Sequence, residues 1–138
     1  MVDDPLGQGH GRILLIPAIQ PDVAIIHSPL ADRDGNVWIG RRRELATIAH
    51  ASKTLLVTVE KIQDESLLAS EASAAGTLPG FYVTALAEAK MGALPLGLVE
   101  HYPADTDALT AYAREARTEE GFQAYLQREV FATRAAAE

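Results

Sequence analysis

His27 and Ser28 are the residues whose types and positions most clearly suggest chemistry. They directly follow the apolar run 23–26, which fits a buried strand because it is short, rich in Val and Ile, and does not alternate with polar residues. Open α/β sheets place ligands at the carboxyl ends of their strands. The polar segment 27–29 is therefore predicted to lie near a ligand, to which both side chains could donate hydrogen bonds. The alternative is a histidine bonded to backbone at a sheet edge.

Glu60 is a second candidate for chemistry. It follows the apolar run 54–59, at a position from which a carboxylate could act as a nucleophile or a base. Its neighbour Lys61 offers a simpler explanation, which is an ion pair. Ser28 lacks the G-x-S-x-G context of a hydrolase nucleophile elbow. The residues alone therefore leave the role of Glu60 open.

Oxygen-bearing side chains stand close together in the segment 32–36, which reads Asp-Arg-Asp-Gly-Asn. An EF-hand calcium loop would need glycine at its sixth position and glutamate at its twelfth, where this chain has Val37 and Arg43. The segment instead predicts a tight turn around Gly35, capped by Asp and Asn side chains. A loop on the ligand side of the sheet is the alternative.

No metal centre and no thiol chemistry are predicted. Cysteine is absent, and the four histidines, at positions 10, 27, 50 and 101, form no paired metal motif. The arginines at 41–43 are the only cationic cluster in an acidic chain. They could contact the phosphates of a nucleotide-like ligand, or they could simply be solvated. The glycines at 7, 9 and 11 precede a predicted strand instead of following one, which argues against a phosphate loop.

The elements that must position these residues alternate between strands and helices. Strands are predicted over 13–16, 23–26, 37–39, 54–59 and 81–87, and the first two are expected to be buried on both faces. Helices are predicted after Gly40, within 65–75, and as a pair capped near Asp105 and Thr118. This order indicates an α/β layered fold with a mostly parallel central sheet flanked by helices, and a C-terminal helical pair.

The composition bounds the class of protein. The chain has 138 residues, 48% of them hydrophobic, which predicts one folded domain. The start of the chain, rich in Gly and Pro, predicts a flexible lead-in over 1–11, and a frayed tail is expected over 132–138, so the domain is assigned to 12–131. A net charge of -7 argues against a nucleic-acid surface. No apolar run approaches the roughly 18 residues of a membrane helix, and the acidic start does not resemble a signal peptide. We therefore expect a cytoplasmic protein.

Four ordered blocks of the sequence resemble the family I CoA-transferases, most closely the C-terminal part of alpha subunits of the glutaconate CoA-transferase type. The blocks are Ala-Ile-Gln-Pro-Asp-Val-Ala-Ile-Ile-His at 18–27 with Ala-Asp-Arg-Asp-Gly-Asn-Val at 31–37, the segment 51–62 ending in Val-Glu-Lys-Ile, Leu-Pro-Gly-Phe-Tyr-Val-Thr-Ala at 78–85, and Glu-Glu-Gly-Phe-Gln-Ala-Tyr-Leu at 119–126. The resemblance covers roughly residues 12–131.

The resemblance implies an activity and partners. The family moves coenzyme A between carboxylic acids through a glutamyl-CoA thioester, and that glutamate normally belongs to a beta subunit, in a Ser-Glu-Asn-Gly type motif that this chain lacks. The chain is expected to supply no catalytic residue and to need the missing N-terminal half together with a beta-type subunit. It would take coenzyme A or acyl-CoA as substrate, with no tightly bound cofactor. The residues implied to line the acyl-CoA cleft are His27, Ser28, Asp32, Gly35 and Asn36.

Two departures from the family pattern leave alternatives open. The usual Gly-Ala-His-Pro appears as Gly-Ala-Leu-Pro at 92–95, and 28–30 is Ser-Pro-Leu where many relatives have Ala-Gln-Arg, so the acyl substrate could differ. One alternative is a non-catalytic binding or assembly domain of the same fold. Another is a CoA-thioester hydrolase-like relative. Half a subunit should expose apolar surface, so self-association into a homo-oligomer is expected.

Overall fold

The computed structural model describes residues 1–5, 7, 9 and 11–132. Within them the strands are β1 (Val2–Asp3), β2 (Arg12–Ile13), β3 (Val23–Asp32), β4 (Val37–Trp38), β5 (Thr54–Gln63), β6 (Thr77–Leu78) and β7 (Ala85–Glu88). The helices are α1 (Arg43–Ala51), α2 (Glu71–Ala74), α3 (Thr106–Glu115) and α4 (Glu119–Tyr125), with a 3-10 turn at Gly80–Tyr82 and a π-helical continuation of α4 at Leu126–Phe131. The expected frayed tail falls, from 133 onward, outside the described residues.

Five of the strands form one mixed sheet in the order β6-β4-β3-β5-β7. β3 pairs with β5, and β5 with β7, in parallel, whereas β4 runs antiparallel to both β3 and β6. The predicted α/β layered fold, with parallel strands at its centre and the helical pair α3 and α4 at its end, is confirmed. β1 and β2 form a separate two-stranded sheet, so the expected flexible lead-in includes a short strand.

The β3–β5 pair has two unlike faces, because neighbouring side chains on a strand point to opposite sides. One side, which we call the core face, buries Ala24, Ile26, Ser28, Leu55, Val57 and Val59. The helix α1 covers it, with Leu45, Ala46 and Ala49 packed into the same cluster. The other side, which we call the open face, carries Val23 and Ile25, which are 51% and 73% exposed.

Several predictions of strand extent are wrong. The run 13–16 is a strand only at its first residue, and Leu14, Leu15 and Ile16 are exposed. The runs 23–26 and 54–59 are the first parts of ten-residue strands. The run 23–26 is buried on one face only, and its alternation is hidden in the sequence because the exposed positions are themselves apolar.

The polar segment 27–29 lies inside β3 and not after it, which corrects the predicted strand end. Proline lacks an N–H and usually marks the limit of an internal strand. Here the ladder to β5 resumes at Leu30, opposite Lys61, and β4 pairs with β3 only at Ala31. Little pairing is therefore lost at Pro29, and the strand continues to Asp32.

Predictions for the remaining elements are confirmed in part. The turn at Asp34-Gly35 and the strand after it are present. Asp105 and Thr118 cap α3 and α4, with their side chains accepting hydrogen bonds from backbone N–H groups three residues later. The strand predicted over 81–87 is wrong in its first half, where Gly80–Tyr82 forms a 3-10 turn before β7 begins.

The structure exposes apolar side chains on the open face and in the segment 14–16. Self-association through such surface stays a prediction, and a clean monomer in light scattering would contradict it. Among the residues that the structure describes, no helix is long and apolar enough to cross a membrane.

Candidate functional site

A hydrogen-bonded cluster lies on the open face of the β3–β5 pair. His27 of β3 stands opposite Thr58 of β5, and Glu60 lies two residues further on, on the same face. His27 Nδ1 is 2.8 Å from Thr58 Oγ1, and His27 Nε2 is 2.8 Å from Glu60 Oε1. Both ring nitrogens are therefore engaged by side chains of one neighbouring strand, which fixes the plane of the imidazole.

Tyr102 completes the cluster from the loop 89–105, which connects β7 to α3. Its hydroxyl donates a hydrogen bond to Glu60 Oε1 and accepts one from the Ala93 backbone N–H at 3.0 Å. In the same loop, the backbone N–H of Met91 donates a hydrogen bond to Glu60 Oε2 at 2.7 Å. Glu60 thus anchors this loop to the sheet.

The hydrogen bonds at Glu60 decide its charge. Partial burial opposes ionisation, but donation from Tyr102, from Met91 N–H and from His27 outweighs it and lowers the pKa of Glu60 to about 2. Burial, and next the bond to the Glu60 carboxylate, raise the pKa of Tyr102. Around neutral pH the cluster therefore holds a carboxylate and a neutral phenol. The side chains of His27 and Glu60 are 13% and 18% exposed, so solvent reaches the pair.

The hydrogen bonds at His27 fix the orientation of its ring. A carboxylate only accepts, so His27 Nε2 carries the proton donated to Glu60, and whenever the ring is neutral its Nδ1 accepts from the Thr58 hydroxyl. The order hydroxyl, imidazole, carboxylate serves to activate a hydroxyl or to orient a general base. Because the pKa of Glu60 is about 2, its carboxylate is suited to orienting His27 and poorly suited to taking a proton itself.

Both simple explanations drawn from the sequence are wrong. His27 bonds side chains inside the sheet instead of backbone at its edge, since β3 is the central strand. Glu60 pairs with His27 and Tyr102 instead of Lys61, whose side chain starts on the opposite face of β5. Thr58 was not singled out from the sequence, although its place on β5 could have been found from the parallel register.

Gly92 closes the loop over the imidazole. A Cβ at this position would lie 2.7 Å from His27 Cε1 and 2.8 Å from the Ala89 carbonyl oxygen, which is closer than side chains approach. We expect Gly92→Ala to displace the ring or the loop and to lower the free energy of unfolding by about 2 kcal/mol. Urea denaturation measures the loss, and NMR of the His27 ring protons reports its displacement.

The matched control for this prediction is Lys90→Ala. Lys90 is exposed in the same loop, so its truncation should leave both readings unchanged. Unaltered His27 ring signals in Gly92→Ala would show that the loop does not press on the imidazole.

The other predicted ligand residues lie away from this cluster. Ser28 points to the core face, is fully buried, and donates its hydroxyl to the Trp38 carbonyl oxygen. Asp32 and Asn36 are buried in the turn around Gly35, whose φ of +83° needs glycine. Binding of a ligand by these residues stays a prediction.

The contacts of Asp32 hold the turn together. Its carboxylate accepts hydrogen bonds from the Asp34, Asn36 and Leu67 backbone N–H groups and from the Asn36 side-chain amide, all between 2.8 and 3.0 Å. The Asn36 side-chain oxygen in turn accepts from Gly80 N–H at 2.9 Å. The predicted capping of the turn by Asp and Asn side chains is confirmed.

Within the described residues, no group of three or more His, Asp or Glu side chains is placed to hold a metal ion.

Sequence and fold together define the class. The chain is homologous to the C-terminal part of the alpha subunits of CoA-transferases, which confirms the resemblance carried by the four sequence blocks. It is 33% identical over 132 residues to the alpha subunit of glutaconate CoA-transferase from Acidaminococcus fermentans, covering 94% of this chain and 40% of that subunit. It is 32% identical over 127 residues to the alpha subunit of 3-oxoadipate CoA-transferase from Pseudomonas knackmussii, covering 89% of this chain and 43% of that one.

The chain thus spans about two fifths of the length of these curated relatives. No protein-family model matches it. The crystal structure of glutaconate CoA-transferase from Acidaminococcus fermentans superposes with a TM-score of 0.82 at 32% identity, covering 95% of this chain and 41% of that one. The crystal structure of a variant of the decarboxylase AibA/AibB superposes with a TM-score of 0.72 at 33% identity, covering 92% of this chain and 46% of that one. The two names describe different reactions, so the fold by itself does not assign one.

Proposed function

We propose that this chain is a segment of a CoA-transferase and takes part in moving coenzyme A between carboxylic acids. The observation that carries the proposal is its homology, along 94% of its length, to the alpha subunit of a CoA-transferase. Since the chain has no Ser-Glu-Asn-Gly type motif, the nucleophilic glutamate would come from a beta-type partner. Coenzyme A thioesters would enter as substrates, with no tightly bound cofactor.

His27 is the residue that we place in the acyl-CoA cleft. It is fixed by Thr58 and Glu60 on the open face, and it is partly accessible. An oriented imidazole there can donate or accept a proton beside an acyl carbonyl, which would give the chain a catalytic group where the family resemblance implies none. The other four predicted residues would shape the cleft indirectly, because three of them, Ser28, Asp32 and Asn36, are buried. The fourth, Gly35, would act through the conformation of the turn.

The test is reconstitution of the whole enzyme. The chain would be combined with an N-terminal half and a beta-type subunit from a relative, and transfer from acetyl-CoA to glutaconate or 3-oxoadipate would be followed. We expect transfer, and a fall in kcat of about a hundredfold in His27→Gln. His50→Gln is the control, because His50 lies on α1, across the sheet. Failure of every combination to transfer coenzyme A would favour a non-catalytic assembly domain.

A thioester hydrolase is the second candidate, and the order Thr58, His27, Glu60 favours it. In this reaction the Thr58 hydroxyl oxygen attacks the thioester carbonyl while its proton passes to His27 Nδ1. The sulfur of coenzyme A leaves with that proton, and water then cleaves the acyl-threonine ester. Thr58→Val should abolish hydrolysis but leave measurable transfer, because His27 keeps its hydrogen bond to Glu60. Absence of hydrolysis by the wild-type chain would remove this candidate.

A further inference from the structure

We infer that a groove separate from the His27 cluster binds an anionic group attached to an apolar body, with Arg42 as the recognising cation. The groove has a volume of about 560 Å³ and lies between the turn from β4 to α1 and the segment 98–101. Trp38, Arg41 and Arg42 line one wall, and Leu98, Glu100 and His101 line the other. The inference does not depend on the proposed function.

Arg42 is held in place by the protein. Its Nε donates to the Ile39 carbonyl oxygen at 3.3 Å, and its Nη2 lies 3.4 Å from Ser28 Oγ. Ser28 is fully buried and its hydroxyl proton goes to the Trp38 carbonyl oxygen, so its oxygen presents a lone pair to the guanidinium. The remaining N–H groups of the guanidinium form a planar fork that suits a carboxylate or a phosphate.

No anion among the described residues satisfies this cation. Across residues 11–132 the structure shows ion pairs for Arg33, Arg114 and Arg128 but none for Arg41 or Arg42. Both stand before the first turn of α1, where the helix dipole disfavours a positive charge. A bound anion would remove this unfavourable interaction. Because the chain has a net charge of -7 and salt screens distant charges, attraction for an anion must come from such local donors.

The walls indicate what carries the anion. Trp38 and Val99, the latter 86% exposed, supply apolar surface in the same groove as Arg42, and His101 adds a ring N–H. The ligand class is therefore an apolar or aromatic molecule ending in a carboxylate or phosphate. Glu100 is the carboxylate in the lining, and it should weaken binding by repulsion.

The experiment uses Trp38, the only tryptophan of the chain, as the reporter. Its fluorescence is followed while the full chain is titrated with phenyl phosphate or with hexanoate, at constant ionic strength. We expect a saturable change, with the apparent Kd raised about tenfold in Arg42→Gln. Arg43→Gln is the matched control, since Arg43 is adjacent and outside the groove. Glu100→Gln should lower the Kd.

The two probes distinguish a phosphate source from a carboxylate source of the same chemistry. Should Arg42→Gln fail to fold by circular dichroism, Arg42→Lys replaces it, because lysine keeps the charge and loses the fork. No saturable change with either probe at millimolar concentration would overturn the inference. An equal rise of the apparent Kd in Arg42→Gln and Arg43→Gln would also overturn the inference, because it would show that the probe is attracted by positive charge in general. Neither outcome bears on transfer by the reconstituted enzyme.

Discussion

Glu60→Gln is expected to lower the free energy of unfolding by about 2 kcal/mol and to release the loop 89–105 from the sheet. The two carboxylate oxygens accept from His27 Nε2, the Tyr102 hydroxyl and the Met91 N–H. Glutamine has the same shape but one acceptor oxygen, so its amide N–H₂ must face at least one of these donors. Urea denaturation measures the loss, and hydrogen exchange at Met91 reports the loop.

The pH dependence of the free energy of unfolding is a second measurement that tests this prediction. The folded-state pKa of Glu60 is lowered from 4.5 to about 2, so the carboxylate stabilises the fold fully above pH 4.5 and progressively less as the pH falls towards 2. Glu60→Gln should lack this part of the acid dependence. Glu65→Gln is the control, since Glu65 is exposed after the end of β5. Equal effects of the two substitutions would show that the Glu60 contacts contribute nothing specific.

Asp32→Asn should destabilise the protein still more, by about 3 kcal/mol at pH 7. Asp32 is 1% exposed, and its carboxylate meets four donors. An asparagine N–H₂ in place of Oδ2 would face the Asn36 amide and the Leu67 N–H without water to replace the lost bonds. Thermal denaturation at neutral pH tests this, together with protection of Leu67 N–H from exchange.

The Asp32 substitution also has an acid-dependent part. Burial raises the pKa of Asp32, but hydrogen bonds from Asn36, Leu67 and Asp34 outweigh this and hold it below the usual 3.8. Its stabilising contribution is therefore present above pH 3.8 and is lost as the pH falls through the lowered value. Asp64→Asn, at an exposed ion pair with Arg33, should change little. A similar loss in both variants would refute the role of the turn.

The sequence predicted the sheet, the capped helices and the turn because each has a local signal. Asp105 and Thr118 sit directly before amphipathic helical segments, and Gly35 sits where a positive φ is needed. Family resemblance added the class of protein. These features depend on residues close together in the chain, which is where pattern and propensity are informative.

The contacts of the candidate site could not be predicted in the same way. Val23 and Ile25 are apolar and exposed, so they concealed which side of β3 faces the core. Pro29 indicated a strand end that tertiary pairing overrides. Tyr102 lies 42 residues from Glu60 in an irregular loop, and nothing in the local sequence connects the two. The sequence points to His27 and Glu60, but their pairing with each other and with Thr58 requires the strand register, and the contacts of Tyr102 and Met91 require the path of the loop.

One register of the parallel β3–β5 ladder determines both the packing of the core and the contacts of the candidate site. It sets Ile26 against Val57 on one face and His27 against Thr58 on the other. A slip of one residue would turn His27 inward and Ile26 outward, at the cost of the whole apolar cluster. A chain that has buried its core correctly has therefore also joined its imidazole to its carboxylate. During synthesis the imidazole and the carboxylate can meet only after β5 has emerged and paired with β3.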